Sequence, residues 1–525
     1  MRRNATHIGL ALVLVLGVAL SSVPGASAQM MQRAEVGLRP IVPDTVTKDI
    51  EGALVDESEV SDRSTAPILL KSTHEPELSL PDHHNDPFTP EGFCCAEPNL
   101  GMTMLFVMAI EVIPNYFNWR VADDSTAILS LDSWKHNMVK GMEWDHNNFT
   151  TNMFAHPYHG NVYFNSARAH GYNYWSSSFF AGLGSFMWEM YGEANRGAIN
   201  DWIMTTMGGI TMGEALHRSA RMLRNNEQSG VGRTMREFGA FLIDPVGGTS
   251  RAMRGETSKI GKNPVDRFPT SGGIQITAGY RRVGGDRNDG NPSPDTVATP
   301  YVDMVMIYGD FMYDHDRPFD SFRISVQANF SDKVPIGRMA ITGTLWGRTL
   351  KDEENVKHAF TFDQQFLYLE NKAAETGGQF FGASLHSRFK LGSNWGINTH
   401  VQPLFALLTG INSEYEEFTG RPYDFGTGFG LQLDAVIAYK GYPVFRAMLL
   451  ELYSATINGA KGNHNLLIPV LQARWKIAKS VGIGADVWSI RRNSHYDNFP
   501  DTNTIVPTFR LNVTFTWLNN LRGQR

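Results

Sequence analysis

Cysteine is nearly missing from this chain of 525 residues: there are two, Cys94 and Cys95, and they are adjacent. Two neighbouring thiols exclude a disulfide framework and cannot hold a structural zinc ion unaided, so nothing beyond local geometry is expected of them. Long apolar runs are missing too. Beyond the N-terminus no segment reaches ~18 consecutive apolar residues, so no transmembrane helix is expected. Neither sign of charge is in large excess: 47 Lys and Arg against 53 Asp and Glu leave a net charge of −6. That balance gives no footing for nucleic acid as a partner. The short signatures of common chemistries are also absent. There is no GxSxG elbow, no HExxH pair, no phosphate-binding Walker loop and no dinucleotide-binding glycine run. No cofactor and no metal are assigned on this basis.

What is present begins with a targeting segment over residues 1–28. Arg2 and Arg3 supply its positive start, Ile8 to Leu20 its apolar stretch, and Ala26-Ser27-Ala28 a small-residue cleavage pattern. Residues 29–98 are rich in proline and acidic residues and have no sustained periodicity, so they read as an extended or disordered linker. The cluster His83-His84-Asn85-Asp86 within it reads as a solvated loop.

From Ser271 the pattern has period two. Ile274, Ile276, Ala278 and Tyr280 alternate with Gln275, Thr277, Gly279 and Arg281; Phe509, Leu511, Val513, Phe515 and Trp517 alternate with Arg510, Asn512, Thr514 and Thr516. A strand with one lipid face and one aqueous face requires this alternation. About twelve such segments fit between 271 and 517, many about twice as long as the strands of soluble sheets. Aromatic residues such as Trp395, Tyr439, Tyr442, Trp475 and Trp488 sit near their ends, where membrane barrels carry aromatic girdles. The expectation is an all-β transmembrane barrel of about 12 antiparallel strands. Its inward wall would include Arg281, Arg323, Asp363, Arg388, His400, Asp434, Glu451, Arg474 and Asp486.

Between linker and barrel, residues 99–256 read as mainly helical. Residues 172–193 place Ser178, Gly182, Ser185, Glu189 and Glu193 on one face. A second helix is expected from Asn200 or Asp201 to about Arg224, and a third from Thr234 to Ile243, stopped or kinked at Pro245. Gly208, Gly209 and Gly213 inside the second imply close backbone packing or a break, since each glycine costs ~1 kcal/mol in a helix. Glu214 and Arg218, four apart in the favourable order, should pair.

The combination Asn152, His156-Pro157, His159-Gly160, Tyr163, Ala167-Arg168, Trp188-Glu189, Glu193, Asn200-Asp201, Gly208-Gly209, Gly213-Glu214 and Arg218, followed by FLIDPVGGTSR at 241–251, resembles the domain-of-unknown-function 3943 family over about 144–256. The chain departs from the family pattern at Arg196 to Ile199, where a Pro-Ser-type helix entry is expected. The resemblance implies a bacterial exported protein and carries no established activity.

These observations lead to an outer-membrane barrel whose helical domain plugs the lumen or caps the periplasmic mouth. It would gate a small polar solute or bind a periplasmic protein, with outer-membrane lipid around it. The polar side chains Arg168, Glu189, Glu193, Asp201, Glu214, Arg218 and Arg221 are expected to form one connected buried network. The alternative is an outer-membrane enzyme that hydrolyses a lipid or envelope substrate, with His156, His159, Glu189 and Glu193 as its catalytic candidates. A soluble periplasmic β-protein is the third reading.

Overall fold

Each alternating segment pairs with its neighbours in the chain, and the last returns to the first. The computed structural model describes residues 97–520 apart from 121–124, 265–266, 270, 285–286, 289–290, 293–296, 331–334 and 372–373. The targeting segment, His83-His84 and the two cysteines lie outside the described residues. The strands are β1 (Ser271–Val283), β2 (Val297–Tyr308), β3 (Phe322–Asn329), β4 (Ile336–Asp352), β5 (Val356–Asn371), β6 (Ala374–Leu391), β7 (Trp395–Asn412), β8 (Tyr423–Tyr439), β9 (Tyr442–Asn458), β10 (Gly462–Lys476), β11 (Val481–Tyr496) and β12 (Thr502–Asn520). Every pair is antiparallel, and Ser271 of β1 lies opposite Asn520 of β12, so the sheet closes with no free edge. Closure satisfies every strand's backbone groups without water, as a membrane wall requires.

One bond tells inside from outside. Arg510 of β12 donates to Gln327 of β3 at 2.7 Å, although β1 and β2 stand between them in the sheet. That bond crosses the lumen. Directly opposed residues, and residues two apart on one strand, share a face. Asp303, Arg323, Arg338, Asp363, His386, Arg388, His400, Asp434, Arg446, Arg474 and Asp486 therefore point inward. Glu451 does not. It opposes Leu431 and Leu467 on the outward face and is exposed. The run Met448-Leu449-Leu450 is apolar on both faces of β9, so alternation carries no signal there.

The helical unit comprises α1 (Leu100–Arg120), α2 (Leu131–Lys140), α3 (His156–Arg168), α4 (Tyr174–Met187), α5 (Ile199–Leu223), α6 (Val231–Ile243) and α7 (Pro245–Met253). Two single-turn π-helical stretches, Thr151–Ala155 and Trp188–Gly192, flank α3 and α4. Asn173 caps α4, its side chain accepting from Ser176 N at 2.9 Å. Neither Asn200 nor Asp201 caps α5, which begins at Ile199 with Ala198 as a cap lacking a side-chain bond. A backbone bridge replaces it: Glu143 N donates to Gly197 O and Ile199 N to Glu143 O, both at 2.8 Å. Pro245 starts α7, where its missing N–H costs nothing, and Asp244 caps it by accepting from Gly247 N at 2.8 Å. α1 is long and apolar enough, by length and composition alone, to cross a membrane, a feature that the count of consecutive apolar residues passes over because Thr103 and the buried Glu111 interrupt it.

The helices occupy neither the lumen nor a mouth of the barrel. They lie on its outer wall. Met306, Ile324, Ile341 and Phe366 form one outward row across β2 to β5, each opposed to the next. They share a buried core with Met204, Ile210, Met212 and Leu216 of α5. Tyr423 and Phe425, outward on β8, join the same core with Phe149 and Met153. In a bilayer such contacts replace lipid and not water, so they are held by van der Waals packing and by the hydrogen bonds beside them. The far surface of the helical unit is apolar as well: Leu105, Val112, Ile113, Trp175, Phe179, Trp202, Phe238 and Phe241 are exposed.

Candidate functional site

The centre of the helical unit is the crossing of α3 and α5. A Cβ on Gly160 would lie 1.7 Å from Thr205 O, and one on Gly209 would lie 2.3 Å from the Gly160 carbonyl carbon. The glycines of α5 thus admit the backbone of α3 while the helix stays unbroken. This contact brings Arg168, at the end of α3, over Glu214 of α5.

Glu214 is fully buried. Arg168 reaches it through Nε at 2.7 Å and Nη2 at 3.0 Å, a bidentate pair. Arg218 adds Nε to Glu214 Oε1 at 2.8 Å, the expected i,i+4 pair. Burial alone would raise the Glu214 pKa. The two guanidiniums outweigh it and hold the pKa at about 2. Arg218 also donates to Asp320 Oδ1 at 3.2 Å and to the Pro318 carbonyl at 2.9 Å, both on the β2–β3 loop.

Glu189 and Glu193 do not reach these arginines. Glu189 joins a second, acidic cluster with His156, Asp201 and Asp145, in which the His156, Glu189 and Asp201 ligand atoms all lie within 4.8 Å of one another. His156 Nε2 is 3.3 Å from Asp201 Oδ2. Asn152 and Asn200 both donate to Asp145 Oδ1 at 2.7 Å. Burial, then the neighbouring carboxylates, pushes the Glu189 and Asp201 pKa values up. Burial pushes His156 down to about 4. Glu193 Oε1 accepts from Trp188 Nε1 at 2.9 Å. His159 is packed between rings, stacked on Tyr163 at 4.7 Å and edge-on to Trp188 at 4.8 Å, and burial takes its pKa down to about 3. His156 and Glu189 are 9% and 2% exposed, which gives a substrate no access to them.

Arg221 lines a small cavity of about 60 Å³ with Arg168, Arg224, Arg251, Arg254 and Arg267. Asp244, Glu237 and Glu256 pair with several of these, while Arg224 Nε and Arg267 Nε are buried without a hydrogen-bond partner. Sequence reading missed this cavity because its arginines come from α3, α5, α7 and the segment leading into β1. It also missed Asp145, which only the fold brings to Asp201.

Inside the barrel, a cavity of about 690 Å³ opens toward the end that holds both barrel termini. Arg323, Asp363, His386, Arg388, His400 and Asp434 line it. His386 and His400 stack at 4.6 Å. Toward the other end, Arg281, Gln327, Asp486, Arg510 and Asn512 share the lumen with an apolar cluster that includes Leu404, Leu452, Leu466, Trp488 and Ile490, and all are almost fully buried. The β2–β3 loop belongs to both sites. Asp310, Phe311, Met312 and Tyr313 line the cavity, and Arg388 bonds Asp310 at 3.3 Å. A few residues on, Phe319 is buried against Tyr174 of α4, its φ of 63° a strained value for a bulky residue.

No curated protein matches the sequence. Among solved structures, the KdgM porin is 8% identical, with 46% of this chain and 99% of that chain covered at a TM-score of 0.24. The toluene transporter TodX of Pseudomonas putida is 9% identical, with 46% and 89% covered at 0.21. An outer membrane channel of Pseudomonas putida F1 is 10% identical, with 48% and 97% covered at 0.27. Residues 141–246 match the family described as Domain of unknown function (DUF3943). The segment that carries the α3–α5 crossing, the acidic cluster and the Glu214 ion pairs is thus the part that matches the DUF3943 family, joined in this chain to a closed barrel of twelve strands.

Proposed function

We propose that this chain is an outer-membrane barrel that admits small charged solutes to its lumen, and that its helical domain controls the mouth from outside the wall. The β2–β3 loop carries the reading. Its first half, Asp310 to Tyr313, lines the lumen cavity, and its second half, Pro318 to Asp320, is gripped by Arg218 and Tyr174 of the helical domain. A movement of the domain therefore displaces a lumen-lining segment without entering the lumen. The inward wall carries both signs of charge, with Arg446 paired to Asp434 and Arg474 to Asp486, and suits polar solutes over apolar ones. The outward residues Phe405, Phe429, Phe509, Leu511 and Phe515 are exposed and supply the apolar band that a bilayer requires. The exposed apolar faces of α1, α4 and α6 continue that band, so lipid is their partner.

Planar-bilayer conductance tests this. The wild-type chain should give discrete, mostly closed steps, and Arg218→Ala, which removes both bonds to the loop, at Asp320 and at the Pro318 carbonyl, should raise the open fraction several-fold. Absence of conductance from both, or identical gating, would sink the proposal.

A further inference from the structure

We propose that His156, Glu189 and Asp201 hold a divalent transition-metal ion at the heart of the helical domain, with Asp145 as a further oxygen donor. Each ligand comes from a different element. His156 opens α3 directly after one π-helical stretch, Glu189 lies within the other, and Asp201 lies in the first turn of α5. Isolated π turns of this kind are frequent at functional positions.

A bound cation would balance the charge of this cluster. Asp145, Glu189 and Asp201 bring three carboxylates together, and Glu189 and Asp201 are 2% and 4% exposed. Among the described residues His156 is the one basic side chain within ion-pair distance of Asp201, and none is within that distance of Glu189. Arg421 is close, yet its Nη1 donates to the Asp145 carbonyl oxygen at 2.8 Å and leaves the carboxylate alone. Buried like charges left this way are strongly unfavourable unless paired or bound to a metal.

The hydrogen bonds orient the donors as the outer shell of a metal site does. Asn200 Nδ2 donates to Asp201 Oδ1 at 2.7 Å, which leaves Oδ2 toward His156. Glu189 Oε2 accepts from Ala198 N at 2.7 Å. His156 Nδ1 is engaged by Thr205 Oγ1 at 3.2 Å, so the ring is fixed through one nitrogen. The other, Nε2, is buried, aimed at the carboxylates, and has no hydrogen-bond partner. The side-chain oxygen of Asn152, whose nitrogen donates to Asp145, lacks a partner as well, on a residue with no exposure. One imidazole with two or three carboxylates is a borderline-hard set that suits Zn²⁺ or Mn²⁺.

Elemental analysis of the full chain, purified in detergent and exhaustively dialysed, tests the site. The wild type should retain about one Zn²⁺ or Mn²⁺ per chain, and His156→Ala, Asp201→Asn and Glu189→Gln should each lower retention about tenfold or more. After chelation, adding Zn²⁺ or Mn²⁺ should raise the melting temperature of the wild type and leave the variants unmoved. Retention equal in wild type and variants, or a wild type that holds no metal and shows no shift with either ion, overturns the proposal. Should the variants fail to assemble, the chelation and re-addition experiment on the wild type decides alone.

Discussion

Gln364 Nε2, on the outward face of β5, donates to the Met207 carbonyl oxygen of α5 at 3.2 Å, while its Oε1 accepts from Tyr174 of α4 at 2.7 Å. A glutamine on the outward side of a barrel strand would meet hydrocarbon. Here two helices cover it and satisfy both ends of its amide. Gln364→Ala leaves the Tyr174 hydroxyl buried without this partner, at about 1–3 kcal/mol, while the Met207 carbonyl still accepts from Thr211 Oγ1 at 3.0 Å. The barrel should still form, as judged by its shift on unheated gels, while the helical domain becomes readily cleaved by protease. A chain with Met153→Cys and Gly410→Cys, in a background with Cys94 and Cys95 replaced by Ser, should be joined by a short bifunctional thiol reagent, because a Cβ at Gly410 lies 2.3 Å from the Met153 terminal methyl. Failure of that cross-link would contradict docking on the outer wall.

Glu214 makes the helical domain sensitive to acid. Its usual value is 4.5 and its folded value is about 2, so between these pH values the unfolded chain binds more protons. The stabilisation is complete above pH 4.5 and is lost as pH falls through about 2; over the whole range it amounts to about 3 kcal/mol. Glu214→Gln removes the charge and leaves Arg168 and Arg218 buried without it, at about 3–5 kcal/mol near neutral pH. Urea unfolding followed by helical circular dichroism should show the gap between wild type and variant narrow by about 2 kcal/mol at about pH 3. A gap independent of pH would mean that the carboxylate is not ionised in the fold.

Gly209 has no room for a side chain. Its added methyl would meet the Gly160 backbone, which cannot rotate away as a side chain can. Gly209→Ala should destabilise the helical domain by about 1–3 kcal/mol even though alanine favours a helix. Gly230, where a Cβ meets nothing but φ is +71°, provides the contrast: Gly230→Ala should act through backbone strain alone, at about 1–3 kcal/mol. Thermal unfolding of both variants separates packing from strain, and equal stability of Gly209→Ala and wild type would refute the close crossing.

Much of this was legible in the residues themselves. Alternation is a local property, so Ile274 to Tyr280 and Phe509 to Trp517 declare their two faces without reference to the rest of the chain. The Glu214–Arg218 pair follows from helical spacing alone, and Gly208, Gly209 and Gly213 mark a close approach before its partner is known. Where both faces of a strand are apolar, as at Met448 to Leu450, the period vanishes, and Glu451 was placed on the wrong side.

The sequence by itself determined a barrel of about twelve strands with many polar inward positions, and a helical domain ahead of it. Only the tertiary structure decided on which side of the wall that domain rests. Met306, Ile324 and Phe366, which meet helices, are as apolar as Phe509 and Leu511, which do not, and burial against protein and exposure to lipid select the same side chains. The same limit hid the acidic cluster. His156, Glu189, Asp201 and Asp145 belong to four separate segments, and their convergence depends on the angle at which Gly160 and Gly209 allow two helices to cross.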